Sequence, residues 1–128
     1  MVIDSSAILA IMMNEAERHD FNVKIAADPV RLLSAANAVE TGIVLERRYG
    51  ETGAHDFDLF LFRSSIEIVP FDAEQATLAR LAFRRYGRGR HRAGLNIGDC
   101  FAYALAKATG EPLLYKGGDF AHTDIESC

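Results

Sequence analysis

Four acids stand apart from the other carboxylates of this chain by their surroundings. Asp4 closes the short opening Met1-Val2-Ile3 and is followed by Ser5-Ser6. Glu40 lies four residues after Ala36 and three before Ile43, on the stripe formed by Ala36, Val39, Ile43 and Val44. Asp99 heads a run that is otherwise small or apolar, Cys100 to Ala106, and Asp119 follows Gly117-Gly118. A carboxylate set among apolar residues is costly unless it has a partner. If the four converge, their mutual repulsion calls for a cation. Oxygen-only donors favour a hard ion, Mg²⁺ or Mn²⁺, and such an ion activates water and polarises phosphate, the chemistry of phosphodiester hydrolysis. Each acid also has a plainer role. Asp4 and Asp99 are suited to helix N-termini, Glu40 to the edge of its stripe, and Asp119 to a turn after two glycines. Separations of 36, 59 and 20 residues leave it to the fold to bring them together.

The elements that would do so alternate between short apolar runs and helical spacing. Met1–Ile3 reads as a strand, followed by an apolar helix over Ala7–Met13 capped by Asp4, Ser5 or Ser6. A helix from Glu15 stops near Asp28-Pro29, and Val30–Leu33 reads as a buried strand. Ala35–Tyr49 has helical spacing and ends at Gly50, with a further helix over Ala54–Phe62. Ile66–Phe71 is a third strand, broken by Pro70, and Asp72 with Gln75 resembles a capping box for a helix running to Tyr86. Asn96 or Gly98 opens a helix ending at Gly110, and Leu113–Tyr115 is a fourth strand. Strands separated by helices predict a single α/β domain over residues 1–128, with a short, mainly parallel sheet flanked by helices on both faces. In such sheets the functional crevice lies beyond the carboxyl ends of the strands, where Asp4 and Asp119 fall.

Composition narrows the classes. At 128 residues, 49% hydrophobic and 25% charged, the chain is ordinary for a globular domain and too apolar for a disordered one. The longest strictly apolar run, Ala7–Met13, is far too short to span a membrane, and no targeting segment precedes it, so the cytoplasm is the expected address. Cys100 and Cys128 form no CxxC and are expected as free thiols. The four histidines have no metal-binding spacing.

The net charge of −4 conceals an asymmetry. Arg84, Arg85, Arg88, Arg90 and Arg92 fall within nine positions without an acid, so that stretch is +5 and the rest of the chain −9. Gly87, Gly89 and Gly94 make it read as a flexible basic loop leading to Asp99. Basic residues beside a metal–carboxylate centre suit an RNA backbone, single-stranded or looped; the plainer reading is a solvated loop paired with nearby acids. Two helices carry more apolar surface than one sheet covers: Ile8, Leu9, Ile11, Met12 and Met13 in the first, and Phe57, Leu59, Phe60, Leu61 and Phe62 in the helix from Ala54. Either the core is larger than drawn or these faces meet a partner.

Four blocks carry a family resemblance: MVIDSSAILAI (Met1–Ile11), SAANAVETGIVLE (Ser34–Glu46), YGRGRHRAGLNIGDCFAYALAK (Tyr86–Lys107) and PLLYKGGDFAHTDI (Pro112–Ile125). Together the sequence resembles a PIN-domain ribonuclease of the VapC toxin family over essentially its whole length. The resemblance implies a PIN fold and a Mg²⁺- or Mn²⁺-dependent endoribonuclease, usually a homodimer, held inactive by a cognate antitoxin. It implies that Asp4, Glu40, Asp99 and Asp119 form the acidic cluster, with Asp4 and Asp99 as metal ligands. The Ser6 hydroxyl would position the first carboxylate, and Asn96 would support the site or cap its helix. It further implies that an antitoxin segment can place an Arg in the acidic site and compete with metal. The match departs at Gly118, where many members have a second acidic or polar residue, which weakens a second metal position more than the first. The non-enzymatic alternative is a PIN-like interaction module with a decayed acidic site; a phosphoacceptor or phosphatase would need a lysine by the acids, for which Lys116 is the late-strand candidate.

Overall fold

The computed structural model describes residues 1–128. Its centre is one four-stranded sheet in which every pairing is parallel. The strands are β1 (Val2–Ile3), β2 (Leu32–Ser34), β3 (Glu67–Val69) and β4 (Leu113–Leu114), in spatial order β3-β2-β1-β4. Val2 is in register with Leu32 on one side and Leu113 on the other, and Leu33 with Ile68. The helices are α1 (Ser5–Met12), α2 (Arg18–Ala27), α3 (Ala35–Arg63), α4 (Ala73–Tyr86) and α5 (Ile97–Thr109), with a 3₁₀ turn at Asp119–His122.

Successive strand residues point to opposite faces, and two cores result. Ile3, Leu33 and Leu114 face α1, α2 and α3, where Ile8, Ile11, Phe21, Leu45 and Phe57 pack. Val2, Leu32 and Leu113 face α4 and α5, where Ala79, Ala82, Tyr103 and Leu105 pack. The strands β1 and β4 can be as short as two residues because both of their faces are covered, whereas β3 is an edge strand with Glu67 and Ile68 exposed. No helix is long and apolar enough to cross a membrane.

Several sequence expectations shift in detail. The two helices expected around Gly50 are arms of α3, interrupted where Gly50 takes φ 68° and ψ −155°. The arms fold back on each other, with the Phe57 ring 3.6 Å from where a Gly42 Cβ would stand. A Cβ on Gly53 would reach 2.8 Å from Tyr49 Cβ, so the bend requires glycine there as well as at Gly50. The expected capping box at Asp72 is half formed. Asp72 accepts from the Gln75 amide at 2.9 Å, but the Gln75 side chain donates to the Pro70 carbonyl. The supposed spare face of α1 is core: Ala7, Ile8, Ala10 and Ile11 are buried, and Leu9, Met12 and Met13 pack against them. Of the aromatic residues in the second arm of α3, Phe62 alone is left outside, 83% exposed.

The stripe assigned to the first arm of α3 is rotated. Val39 and Ile43 are exposed, while Asn37, Thr41 and Leu45 are the buried positions. The polar residues point inward because that arm begins at the carboxyl end of β2, where the acids gather.

Candidate active site

Asp4 follows the last residue of β1 and is the N-cap of α1 in an extended conformation. Its Oδ2 accepts from the Ser6 amide at 3.0 Å, as a capping aspartate should. Its Oδ1 is buried with no hydrogen-bond partner, and the whole residue is only 3% exposed. Burial, offset in part by Ser6 and reinforced by the charges of Asp99 and Glu40, raises its pKa to about 6. The Ser6 hydroxyl also accepts from the Lys116 amide at 2.9 Å, which ties the end of β4 to the start of α1.

Glu40 reaches the same place from α3. Its Oε1 accepts from the Ser5 hydroxyl at 2.9 Å. Its carboxylate rests on Gly98 so closely that a Cβ there would stand 2.7 Å from Oε1. The Asn37 amide donates to the Gly98 carbonyl at 3.0 Å and locks α3 against the start of α5. Ser5, Asn37 and Gly98 therefore build the site although sequence reasoning did not assign them to it. The clue for Asn37 was its place three residues before Glu40 on one helix face; for Gly98 it was a glycine directly before the acid in an apolar helix.

Asp99 is the third residue of α5. Its Oδ2 accepts from the Asn96 amide and Asn96 Oδ1 accepts from the Asp99 amide, both at 2.9 Å, a reciprocal capping box. Asn96 is thus a cap that orients the acid. The Asp99 pKa is raised by burial above all, then by Asp119 and Glu40, against the lowering pull of the Asn96 bond and of Arg88. Asp119 opens the 3₁₀ turn, exposed, with buried Phe120 anchoring the turn beside it. The four acids share one charge neighbourhood, since Asp4 senses Asp99 and Glu40 while Asp99 senses Glu40 and Asp119. They form an open arc: no three are gathered about a single point as ligands. In chemistry the set still fits a hard divalent ion. All donors are oxygen, and the buried, unpartnered Asp4 Oδ1 faces no competing donor.

Lys116 is directed elsewhere, paired with Glu15 and with Glu17 at 3.2 Å. The structure therefore gives no lysine to a phosphoacceptor site at Asp4.

The basic segment is more ordered than its glycines imply. A bridge joins Gly87 to Leu95, the Ala93 amide donates to His91 Nδ1 at 3.0 Å, and Tyr86 stacks edge-on against His91. Ala93 and Leu95 are buried, so the loop is closed at its base, with its arginines outward. Arg84 and Arg85 lie in the last turn of α4. None of Arg84, Arg85, Arg88, Arg90 and Arg92 is in an ion pair, so pairing with nearby acids does not account for them. Arg88 is the one whose charge reaches Asp99, whereas Arg85 acts on Tyr103, which donates to Asp124 at 2.8 Å.

The PIN domain family model matches residues 1–126. Over 125 residues the chain is 55% identical to a protein named Ribonuclease VapC from Mycolicibacterium smegmatis, covering 98% of this chain and 97% of that one. It is 52% identical to Ribonuclease VapC30 of Mycobacterium tuberculosis, covering 98% and 95%. Among solved structures, Mycobacterium tuberculosis VapC20, described as a sarcin-ricin loop cleaving toxin, superposes with a TM-score of 0.79 at 18% identity, covering 99% and 97%. The VapBC2 complex of Rickettsia felis, bound to a fragment of promoter DNA, superposes with a TM-score of 0.76 at 15% identity, covering 98% and 94%.

Proposed function

The chain belongs to the PIN domain family and, within it, to the VapC ribonucleases, the endoribonuclease toxins of toxin–antitoxin pairs, and on that premise we propose that Asp4, Glu40, Asp99 and Asp119 hydrolyse RNA with a bound Mg²⁺ or Mn²⁺. The observation that carries this reading is the buried Asp4 oxygen without a partner, on a carboxyl pushed up to about 6 by burial and by two neighbouring anions. A cation relieves that arrangement directly.

Asp4 and Asp99 would hold the ion, each already fixed by a cap bond that spends one oxygen and leaves the other. The ion supplies an activated water and a polarised phosphate. Glu40, held by Ser5 and pressed on Gly98, and Asp119, on its exposed turn, would add oxygen donors to such an ion or orient a water. Arg88, whose charge reaches Asp99, and Arg84, Arg85, Arg90 and Arg92 neutralise phosphates on either side of the scissile bond. An accessible single-stranded or looped RNA suits this open arc better than a duplex. We propose the cytoplasm as its place of work, where such an RNA would be met.

The partners follow from surfaces left uncovered. A groove between the arms of α3, lined by Val39, Ile43, Phe57, Leu61 and Ile68, offers an apolar seat for an antitoxin helix. Relatives of this fold are described as toxin–antitoxin complexes. The homodimer is proposed on the family resemblance alone, since one exposed phenylalanine, Phe62, does not make a patch.

The test is to map the 5′ ends of cellular RNA after induction, and to repeat cleavage with purified protein, Mn²⁺ and EDTA. Discrete new ends that vanish with EDTA and with Asp99→Asn are expected. Wild-type cleavage by Asp99→Asn, or undiminished cleavage in EDTA, would overturn the mechanism. No cleavage and no Mn²⁺ binding by calorimetry would favour an interaction module.

A further inference from the structure

On the helix that carries Asp99 opens a cavity of about 560 Å³ whose apolar walls the hydrolytic mechanism does not use. It opens between α4 and α5 and is walled by Phe71, Phe83, Ile97 and Phe101. Its rim carries Arg80, Arg84 and Arg90, and no acid lines it. Phe71 and Phe101 meet edge-to-face at 5.0 Å, and the Arg90 guanidinium sits 5.8 Å from the centre of the Phe83 ring. Phe83 is 40% exposed and Ile97, the first residue of α5, is 71% exposed. Large apolar side chains in the open need an account.

We infer that this cavity is a nucleobase subsite, which takes one unstacked base of a single-stranded RNA and thereby helps to select the bond that is cut. The inference rests on the ribonuclease reading above and adds to it a means of choosing sequence. The composition of the wall matches what single-stranded nucleic acid requires. Aromatic faces accept bases, and a basic rim tracks the backbone. The volume is that of a pocket for a small ligand. Its position follows from one turn of helix. Ile97, Cys100 and Phe101 project from α5 into the cavity while Asp99, between them in sequence, joins the acids. The loop does the same on the other side, with Arg90 on the cavity and Arg88 sensed by Asp99. On this reading a phosphate at the acids directs a neighbouring base towards the cavity, which shares α5 and the arginine loop with them. A contact of this face with its own copy would bring the arginines of both into an interface whose lining offers no acid, whereas RNA phosphates compensate them.

The chain has no tryptophan, so a short single-stranded RNA carrying one 2-aminopurine reports stacking without protein background. Its fluorescence is read in EDTA for wild type, Phe83→Ala, Ile97→Ala and, as a control on an exposed α4 residue outside the cavity, Leu81→Ala. Wild type and Leu81→Ala should quench the probe. Phe83→Ala should lose the quenching and bind about 5- to 100-fold more weakly, the range found when a stacking residue is removed, and Ile97→Ala should weaken both in the same direction by less. With Mn²⁺, the same two variants should cut with relaxed base preference beside the scissile bond. Both replaced side chains are partly or largely exposed, so a melting temperature near wild type separates loss of the subsite from loss of the fold. Unchanged quenching and cleavage pattern in Phe83→Ala and Ile97→Ala would overturn the inference while leaving the nuclease standing. So would a drop from dimer to monomer in sedimentation with RNA binding intact, which would assign the cavity to a second copy. Failure of wild type to bind or cut RNA at all would remove both readings.

Discussion

Replacing Asp4 with Asn should make the protein inactive and more stable at once. The carboxyl of Asp4 is raised from an ordinary value of 3.8 to about 6 by burial and by Asp99 and Glu40. Because the folded value lies above the unfolded one, the native state keeps the proton more tightly between about pH 4 and 6. Stability therefore falls as pH rises through that window and stays low above it. At 1.36 kcal/mol per pH unit the penalty near neutrality is about 3 kcal/mol. Asn retains the N-cap, for it ranks with Asp at that position, and carries no charge. Burying its amide takes back about 1 kcal/mol, which leaves a net gain of about 2 kcal/mol and about 5–10 °C in melting temperature. The assay is thermal melting of wild type and Asp4→Asn in EDTA at pH 7.5 and pH 4.5. At the lower pH Asp4 is protonated and the difference should close. Adding Mn²⁺ at pH 7.5 should raise the wild type and leave the variant unmoved. An Asp4→Asn protein less stable than wild type at pH 7.5, or a gap of equal size at both pH values, would refute the electrostatic argument.

Three other perturbations probe the rest of the arc. Gly98→Ala sets a Cβ against the Glu40 carboxylate; melting should change little, since a side chain can turn away, while kcat falls tenfold or more for a displaced group. Ser5→Ala removes the 2.9 Å bond that fixes Glu40, with an expected loss of about 1 kcal/mol in urea unfolding and a lower kcat at unchanged KM. Arg88→Ala takes away a charge that holds the Asp99 pKa down, so the acid limb of the cleavage–pH profile should move to higher pH. In the same variant the slope of log RNA affinity against log salt should shrink by about 1.

The sequence was most informative where each residue is judged by its immediate neighbours. The buried strands, the stop at Gly50 and the acids at Asp4 and Asp99 are all local signals: apolar runs, a glycine, a capping position. It was least informative where orientation depends on what a helix packs against. The first arm of α3 offers apolar Val39 and Ile43, yet it turns Asn37 and Thr41 inward. Hydrophobicity cannot rank a stripe whose buried side faces a polar site rather than the core. Gly98 was equally hidden, because its value lies in the space left for a Glu40 that is 58 residues away in the chain. The arginine loop was legible in charge and misread in stiffness, since the bridge from Gly87 to Leu95 is a pairing that composition does not announce.

The order of the strands has a consequence for when this protein becomes dangerous. β1 is made first, but one of its two partners is β4, more than a hundred residues later, and the Ser6 hydroxyl waits for the Lys116 amide. Asp119 comes later still. A growing chain still attached to the ribosome thus holds Asp4 at the end of a strand that has not yet gained its second partner. Such long-range parallel pairing forms late in folding. The pairing that completes the sheet, and with it the tie from Ser6 to Lys116, cannot form until nearly all of the chain has emerged, so an inhibitor that recognises the assembled acids has nothing to grip before then.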